Sequence, residues 1–351
     1  MTRLVVVGPV GGDAHDGGRH RERPSRIGAV MDGVGEVAAE LGDDVLGLEA
    51  PRAPRPALTA VHRADYVDRV EAMCAAGGGQ LDPDTYLRPD SWDAVLRSAG
   101  AGLRAVESLR DLGAAPPTAR GDAVAFVAAR PPGHHALAAA GMGFCVFNNV
   151  AITAASLAAA GERVVVVDWD VHHGNGTQDL FWESSSVFYV STHQWPLYPG
   201  TGAASEVGSG DGVGHTLNVP LPIGATGDVV LRAMHEVVAP AVESFAPTWV
   251  LVSCGFDAHR ADPLAELELA AGDYALLARA VREFAPGPNR MVVFLEGGYD
   301  LGALRQCTAA TLGALTGVTP AAPMAEATSG GPGADAVARA GSVWRQSVED
   351  G

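Results

Sequence analysis

The sequence predicts an α/β fold, a three-layer αβα arrangement with a mostly parallel central sheet. Short β-branched runs alternate with stretches of helical spacing. Several of these runs are apolar throughout, as expected of strands covered on both faces. Polar clusters follow four of them, at the strand ends where ligands bind in an open parallel sheet.

In chain order, LVVVGP (4–9) opens the series of strands. AVAFVAAR (123–130), RVVVVDWD (163–170), SVFYVST (186–192), TWVLVSCG (248–255) and RMVVFLEGG (290–298) continue it. Residues 91–112, 148–160, 228–245, 271–284 and 301–313 carry helix-like apolar spacing. No repeat of solenoid period interrupts this alternation. Residues 1–317 therefore read as one domain, and 318–351, rich in Pro, Gly and Ala, as a C-terminal tail with a short helix near Val343.

Composition narrows the function. Apolar residues at 47% and charged residues at 19% suffice for a sizeable core and argue against global disorder. A net charge of −17 disfavours nucleic acid and suits cationic substrates, although it serves solubility equally. No apolar run approaches the roughly 18 residues of a membrane span. MTRLVVVGPV lacks the long core and cleavage site of a secretory signal, so a cytoplasmic location without a membrane partner is expected. Cys74, Cys145, Cys254 and Cys307 form no CxxC pair, which argues against a disulfide framework or zinc ribbon. No heptad declares an oligomer interface.

The clusters carry the chemistry. In an extended DWDVHH segment, Asp170 and His172 at i and i+2 point the same way and can bind one ion. Asp257, at the end of another strand, adds a third ligand and leaves a position open for water, as in catalytic zinc sites. The competing reading makes Asp257 a turn residue and His172 a helix cap. By strand alternation His173 points away and is structural. In RPPGHH the Pro131-Pro132-Gly133 turn lets both His134 and His135 face the site. A histidine there can take a proton from water and later return it to a leaving amine, if Asp168 or Asn175 orients it. Gly297 and Gly298 let the backbone pass close to a ligand, and Tyr299 can hydrogen-bond a developing oxyanion. Gly143, Phe144 and Tyr198 supply apolar walls or simply core packing. Neither GxxxxGK[ST] nor GxSxG occurs, so a phosphate loop and a serine-hydrolase elbow have no support.

Together HRERPSRIGAV, LTAVHRADYV, LDPDTYL, RPPGHHAL, GMGFCVFNNVAI, VDWDVHHGNGTQ, YVSTHQWPLYPGTG, NVPLP, SCGFDAHRADPLAEL and LEGGYDL closely resemble the zinc-dependent histone deacetylase family, nearer its class II and bacterial amidohydrolase members. They run in family order from His20 to Leu301. The resemblance implies an arginase–deacetylase fold with one Zn2+ held by Asp170, His172 and Asp257. It implies His135 as general base and then acid, His134 as its electrostatic neighbour oriented by Asp168, and Tyr299 as the residue polarising the scissile carbonyl. It places Gly143, Phe144, Tyr198, Leu264 and Gly298 along a narrow channel for an acyl-lysine stem, and Asp84 at its rim. It also implies a structural K+ or Na+ near Asp168, Asp170, His172, Ser191 and Thr192, largely through carbonyl oxygens.

Departures from the family pattern refine this. Asn175 stands where class I members carry Asp, and a neutral amide stabilises an imidazolium less, making His135 a better starting base than acid. Leu264 stands where polyamine-selective members have Glu, which weakens an acetylated polyamine as substrate. Arg21 replaces a frequent Pro, leaving the rim loop's shape open. A two-metal ureohydrolase would need aspartates that Gly174, Gly255 and His259 do not supply. The expected activity is zinc-dependent hydrolysis of N-acyl amines, foremost acetyl-lysine in a protein or peptide. Alternatives are an acetylated polyamine, a small acylated biosynthetic amine, a ureohydrolase-like reaction or a silent acyl-lysine binder. Ala-, Gly- and Arg-rich usage points to a GC-rich bacterium, where histones are not the physiological target.

Overall fold

The protein is described here by a computed structural model covering residues 2–11, 13–114, 121–322 and 324–350. In chain order the strands are β1 (Arg3–Val10), β2 (Val45–Leu48), β3 (Gly79–Gln80), β4 (Tyr86–Leu87), β5 (Ala123–Ala129), β6 (Val164–Asp168), β7 (Val187–Gln194), β8 (Thr216–Leu221), β9 (Trp249–Cys254) and β10 (Met291–Leu295). Eight form one sheet in the order β2-β1-β5-β10-β9-β6-β7-β8. Every neighbouring pair in it is parallel. The other two, β3 and β4, pair antiparallel beside it.

Strand alternation divides the core. Val165 and Val167 of β6 join Phe126 of β5 on one face, under the helices at 25–41, 271–282 and 301–316. Val164 and Val166 face the opposite way, with Ala125, under the helices at 91–114 and 149–159. Because both faces are covered, each of these strands is apolar at consecutive positions.

The six expected strands and the αβα class are present. The two sheet strands not anticipated, β2 and β8, are the two edges. β2 is only half covered, and Pro220 in β8 is tolerated because the N–H it lacks is not needed on a free edge. The helix expected over 228–245 is interrupted. Met234–Val238 is a π-helical turn, with the Ala239 N–H bonded to the Met234 carbonyl five residues back. Pro240, with no N–H, cannot continue the regular ladder there. Residues 334–350, read as part of a tail with a short helix, form a 17-residue helix. Its Val337 and Ala340 are buried, and the Trp344 indole donates to the Gly214 carbonyl at 3.0 Å.

One consequence of strand order matters for function. β5, β10, β9 and β6 are consecutive in the sheet, so the four polar segments after them emerge side by side. Leu251, fully buried on the central β9, tests the core directly. Leu251→Ala should lower unfolding free energy by about 2–5 kcal/mol in chemical denaturation. Leu46→Ala, on edge strand β2 and 43% exposed, should cost under about 1 kcal/mol. Equal effects at the two positions would contradict the core assigned here.

Candidate active site

Past Asp168 at the end of β6 the chain leaves the sheet through Trp169 to Gly174 before the short helix at 175–180. Asp170 and His172 project from this segment, and Asp257 arrives from the segment after β9. One ligand atom from each lies within 4.8 Å of the others. His172 Nδ1 is 3.2 Å from Asp170 Oδ1 and 3.2 Å from Asp257 Oδ2. These separations match the roughly 3.3 Å edge of a tetrahedron with metal–ligand bonds near 2.0 Å. Backbone donors aim the carboxylates. Val171 N–H binds Asp257 Oδ1, His172 N–H binds Asp170 Oδ1 and Gly297 N–H binds Asp170 Oδ2. A Cβ on Gly297 would sit 2.0 Å from Asp257 Oδ2, so only glycine lets the backbone approach this closely. Two buried carboxylates and one imidazole converging in this way fit a single divalent cation.

The histidine pair approaches from β5. His134 Nδ1 lies 3.0 Å from Asp168 Oδ2, and the Tyr189 hydroxyl donates to the same oxygen at 3.1 Å. Burial disfavours the His134 cation, but the charges of Asp168 and Asp170 outweigh it and raise the pKa. His135 Nδ1 lies 2.8 Å from Asn175 Oδ1, while Asn175 Nδ2 donates to Met142 Sδ. The amide oxygen can only accept, so Nδ1 carries the proton and Nε2 keeps a lone pair. Burial first, then the charges of His134 and His172, push the His135 pKa well down. One ring is thus held cationic and its neighbour, 4.0 Å away between centroids, neutral.

A cavity of about 220 Å3 opens onto this cluster, lined by Asp84, His135, Gly143, Phe144, His172, Leu197, Tyr198, Leu264 and Tyr299. Phe144 packs edge-on against Tyr299, and Tyr198 edge-on against His135. Gly143 has φ +55°, and a Cβ there would lie 2.4 Å from the His135 ring. Of the expected channel residues only Gly298 does not line the cavity. Its carbonyl turns to accept from Arg26 Nε at 2.6 Å.

His173 faces elsewhere, pairing with Thr201 and Gln178, and burial lowers its pKa to about 4. Ser191 pairs with His193, whereas the buried Thr192 hydroxyl has no partner among the described residues.

Sequence reasoning did not find Leu197 or the buried ion cluster behind the site. Glu22 bridges Arg26 and Arg130, and Arg26 lies over the Tyr299 ring at 4.8 Å. Glu296 accepts from Gly133 N–H at 2.7 Å and His134 N–H at 3.2 Å, fixing the turn that delivers the histidines. Burial raises its pKa to about 7. Arg26, Glu22 and Glu296 all lie inside the matched blocks HRERPSRIGAV and LEGGYDL, so the signal was present as block membership without a role.

The family profile described as "Histone deacetylase domain" matches residues 20–315. The chain is 40% identical over 321 residues to "Histone deacetylase 10, chloroplastic" of Oryza sativa subsp. japonica, covering 86% of this chain and 71% of that protein. It is 39% identical over 278 residues to "Histone deacetylase-like amidohydrolase" of Pseudomonas aeruginosa, covering 78% and 71%. The solved HDA15 HD domain superposes with a TM-score of 0.84 at 32% identity, covering 98% of this chain and 95% of that one.

The charge assignment of the histidine pair is testable in metal-free protein by NMR. The His134 imidazolium should persist beyond about pH 8, and Asp168→Asn should bring its titration down by at least about one unit. An unchanged His134 titration in Asp168→Asn would contradict the pairing.

Proposed function

The chain belongs to the histone deacetylase family, and from that premise we propose that it is a zinc-dependent deacylase of N-acyl amines, with acetyl-lysine in proteins or peptides as the leading substrate. One observation carries the reading. A cavity of about 220 Å3 reaches His172 of the Asp170–His172–Asp257 cluster, with a neutral His135 and Tyr299 also in its lining. A slim acyl-amine stem fits such a cavity, and an acidic chain suits an amine carrier.

Zinc held by Asp170, His172 and Asp257 would supply Lewis acidity toward water and the acyl carbonyl. His135, with Nδ1–H donated to Asn175, takes the proton of the attacking water at Nε2. The His134 cation beside it disfavours a second charge, so His135 readily passes the proton to the departing amine. The Tyr299 hydroxyl donates to the oxyanion that develops at the acyl oxygen. Asp84, which lines the same cavity, holds the substrate backbone in this reading. A structural K+ or Na+ near Asp168, Asp170, His172, Ser191 and Thr192 belongs to the same proposal, as do a cytoplasmic setting and residues 1–317 acting as one catalytic unit. No helix of the described residues is long and apolar enough to cross a membrane.

A small acylated amine is the second reading, and the confined cavity favours it equally because only the stem need enter. Leu264 on the wall places no carboxylate opposite a distal ammonium, which argues against a polyamine.

Removing an oxyanion donor typically costs about 100-fold or more in rate. Tyr299→Phe should therefore lose at least about 100-fold in kcat on a fluorogenic acetyl-lysine peptide while retaining metal and fold. Turnover like that of the unsubstituted protein would remove Tyr299 from the mechanism. A panel of acyl amines compared by kcat/KM on zinc-loaded protein separates the substrate classes, and no turnover on any of them would contradict the deacylase reading.

A further inference from the structure

Behind the cavity wall lies another buried carboxylate that the mechanism above does not use. Asp262 is 7% exposed. Its Oδ2 accepts the Tyr299 N–H at 2.6 Å, and its Oδ1 accepts the Leu264 N–H at 3.0 Å. Its own N–H donates to the His259 carbonyl at 2.8 Å, which fixes the segment after Asp257. Pro263 follows, so the carboxylate closes an Asx turn onto Leu264 with the intervening residue's φ already set. The other oxygen is thereby aimed across to the loop after β10.

That loop is tied residue by residue to different partners, Arg26 holding the Glu296 and Gly298 carbonyls and the Phe256 N–H the Gly297 carbonyl. Gly297 binds Asp170 through its N–H, Gly298 has φ +114°, and Asp300 caps the next helix by accepting from Ala303 N–H. Between them, the Tyr299 main chain is held by the Asp262 carboxylate. A negative group here carries an electrostatic cost, because its charge adds to those of Asp170 and Asp257. A carboxylate nonetheless suits the place. Both N–H groups need an acceptor, and an amide would turn its NH2 toward one of them.

We propose that Asp262 is the positioning residue for Tyr299, a single carboxylate that ties two walls of the cavity, Leu264 and Tyr299, in register. Asp262 touches no reacting atom and acts through the placement of the phenol. The inference rests on the reading of Tyr299 as oxyanion donor.

The test is a double-mutant cycle on zinc-loaded full-length protein with an acetyl-lysine peptide, metal content being measured for each variant. Asp262→Ala should lower kcat at least about tenfold while KM changes less than about threefold. Asp262→Asn, which keeps one acceptor oxygen, should fall between the two, and it replaces Asp262→Ala in the cycle if the latter does not fold. In the Tyr299→Phe background the same Asp262 substitution should change the residual kcat less than about twofold. Asp262 variants within about twofold of the unsubstituted kcat, or an equal fold-loss in both backgrounds, overturn the inference by showing no role or only a general structural one. Full turnover by Tyr299→Phe alone overturns instead the reading of Tyr299 on which it rests.

Discussion

Two carboxylates buried side by side set the terms for the rest of the molecule. Asp170 and Asp257 are 0% and 1% exposed, with ligand atoms within 4.8 Å of one another and of His172. Such a pair is costly in a low-dielectric interior unless donors and a cation compensate it. Burial first, and then the charge of Asp170, pushes the Asp257 pKa to about 7. The chain answers with three backbone N–H donors from Val171, His172 and Gly297. The Val171 and Gly297 donors reach their carboxylates because β6, β9 and β10 end beside one another, so the sheet order and the site are one constraint.

The positions that would extend this cluster to a second ion carry no ligand aimed at it. A second ion would need further carboxylates around the first. Gly174 brings none, and His259 spends Nδ1 accepting the Ala261 N–H rather than facing the cluster. Around the cluster, the two buried histidines differ in the charges beside them. Asp168 and Asp170 raise the His134 pKa against burial, while burial and the neighbouring His134 and His172 push that of His135 well down, with only a neutral amide, Asn175, on its Nδ1. One loop sequence thereby places two histidines of opposite pKa shift side by side.

Much of this was legible in the sequence, for physical reasons that also explain the gaps. Continuous apolar runs such as VVVV before Asp168 mark strands buried on both faces, and their polar sequels mark the ligand-binding ends. Edge strands β2 and β8 escaped because an edge needs neither continuous burial nor every N–H. The helix at 25–41 contains Gly28, Gly33 and Gly35, which dilute helical propensity and hide its period. In the site, ligands and the channel wall announced themselves by residue type at strand ends. Arg26, Glu22, Glu296 and Asp262 did not, because their partners are main-chain atoms or charges far along the chain. Gly298 was misplaced for the same reason, its orientation being set by Arg26, 272 positions away.

The proposed hydrolysis of acyl amines depends on one divalent ion held by Asp170, His172 and Asp257. Titrating Zn2+ into metal-free protein while following both bound metal and turnover of an acetyl-lysine peptide tests it most directly. Activity should rise linearly and reach its plateau at one Zn2+ per chain, a stoichiometry set by three ligands and one open position. A plateau that requires two ions per chain, or full turnover before any zinc is added to protein shown to be metal-free, would contradict it.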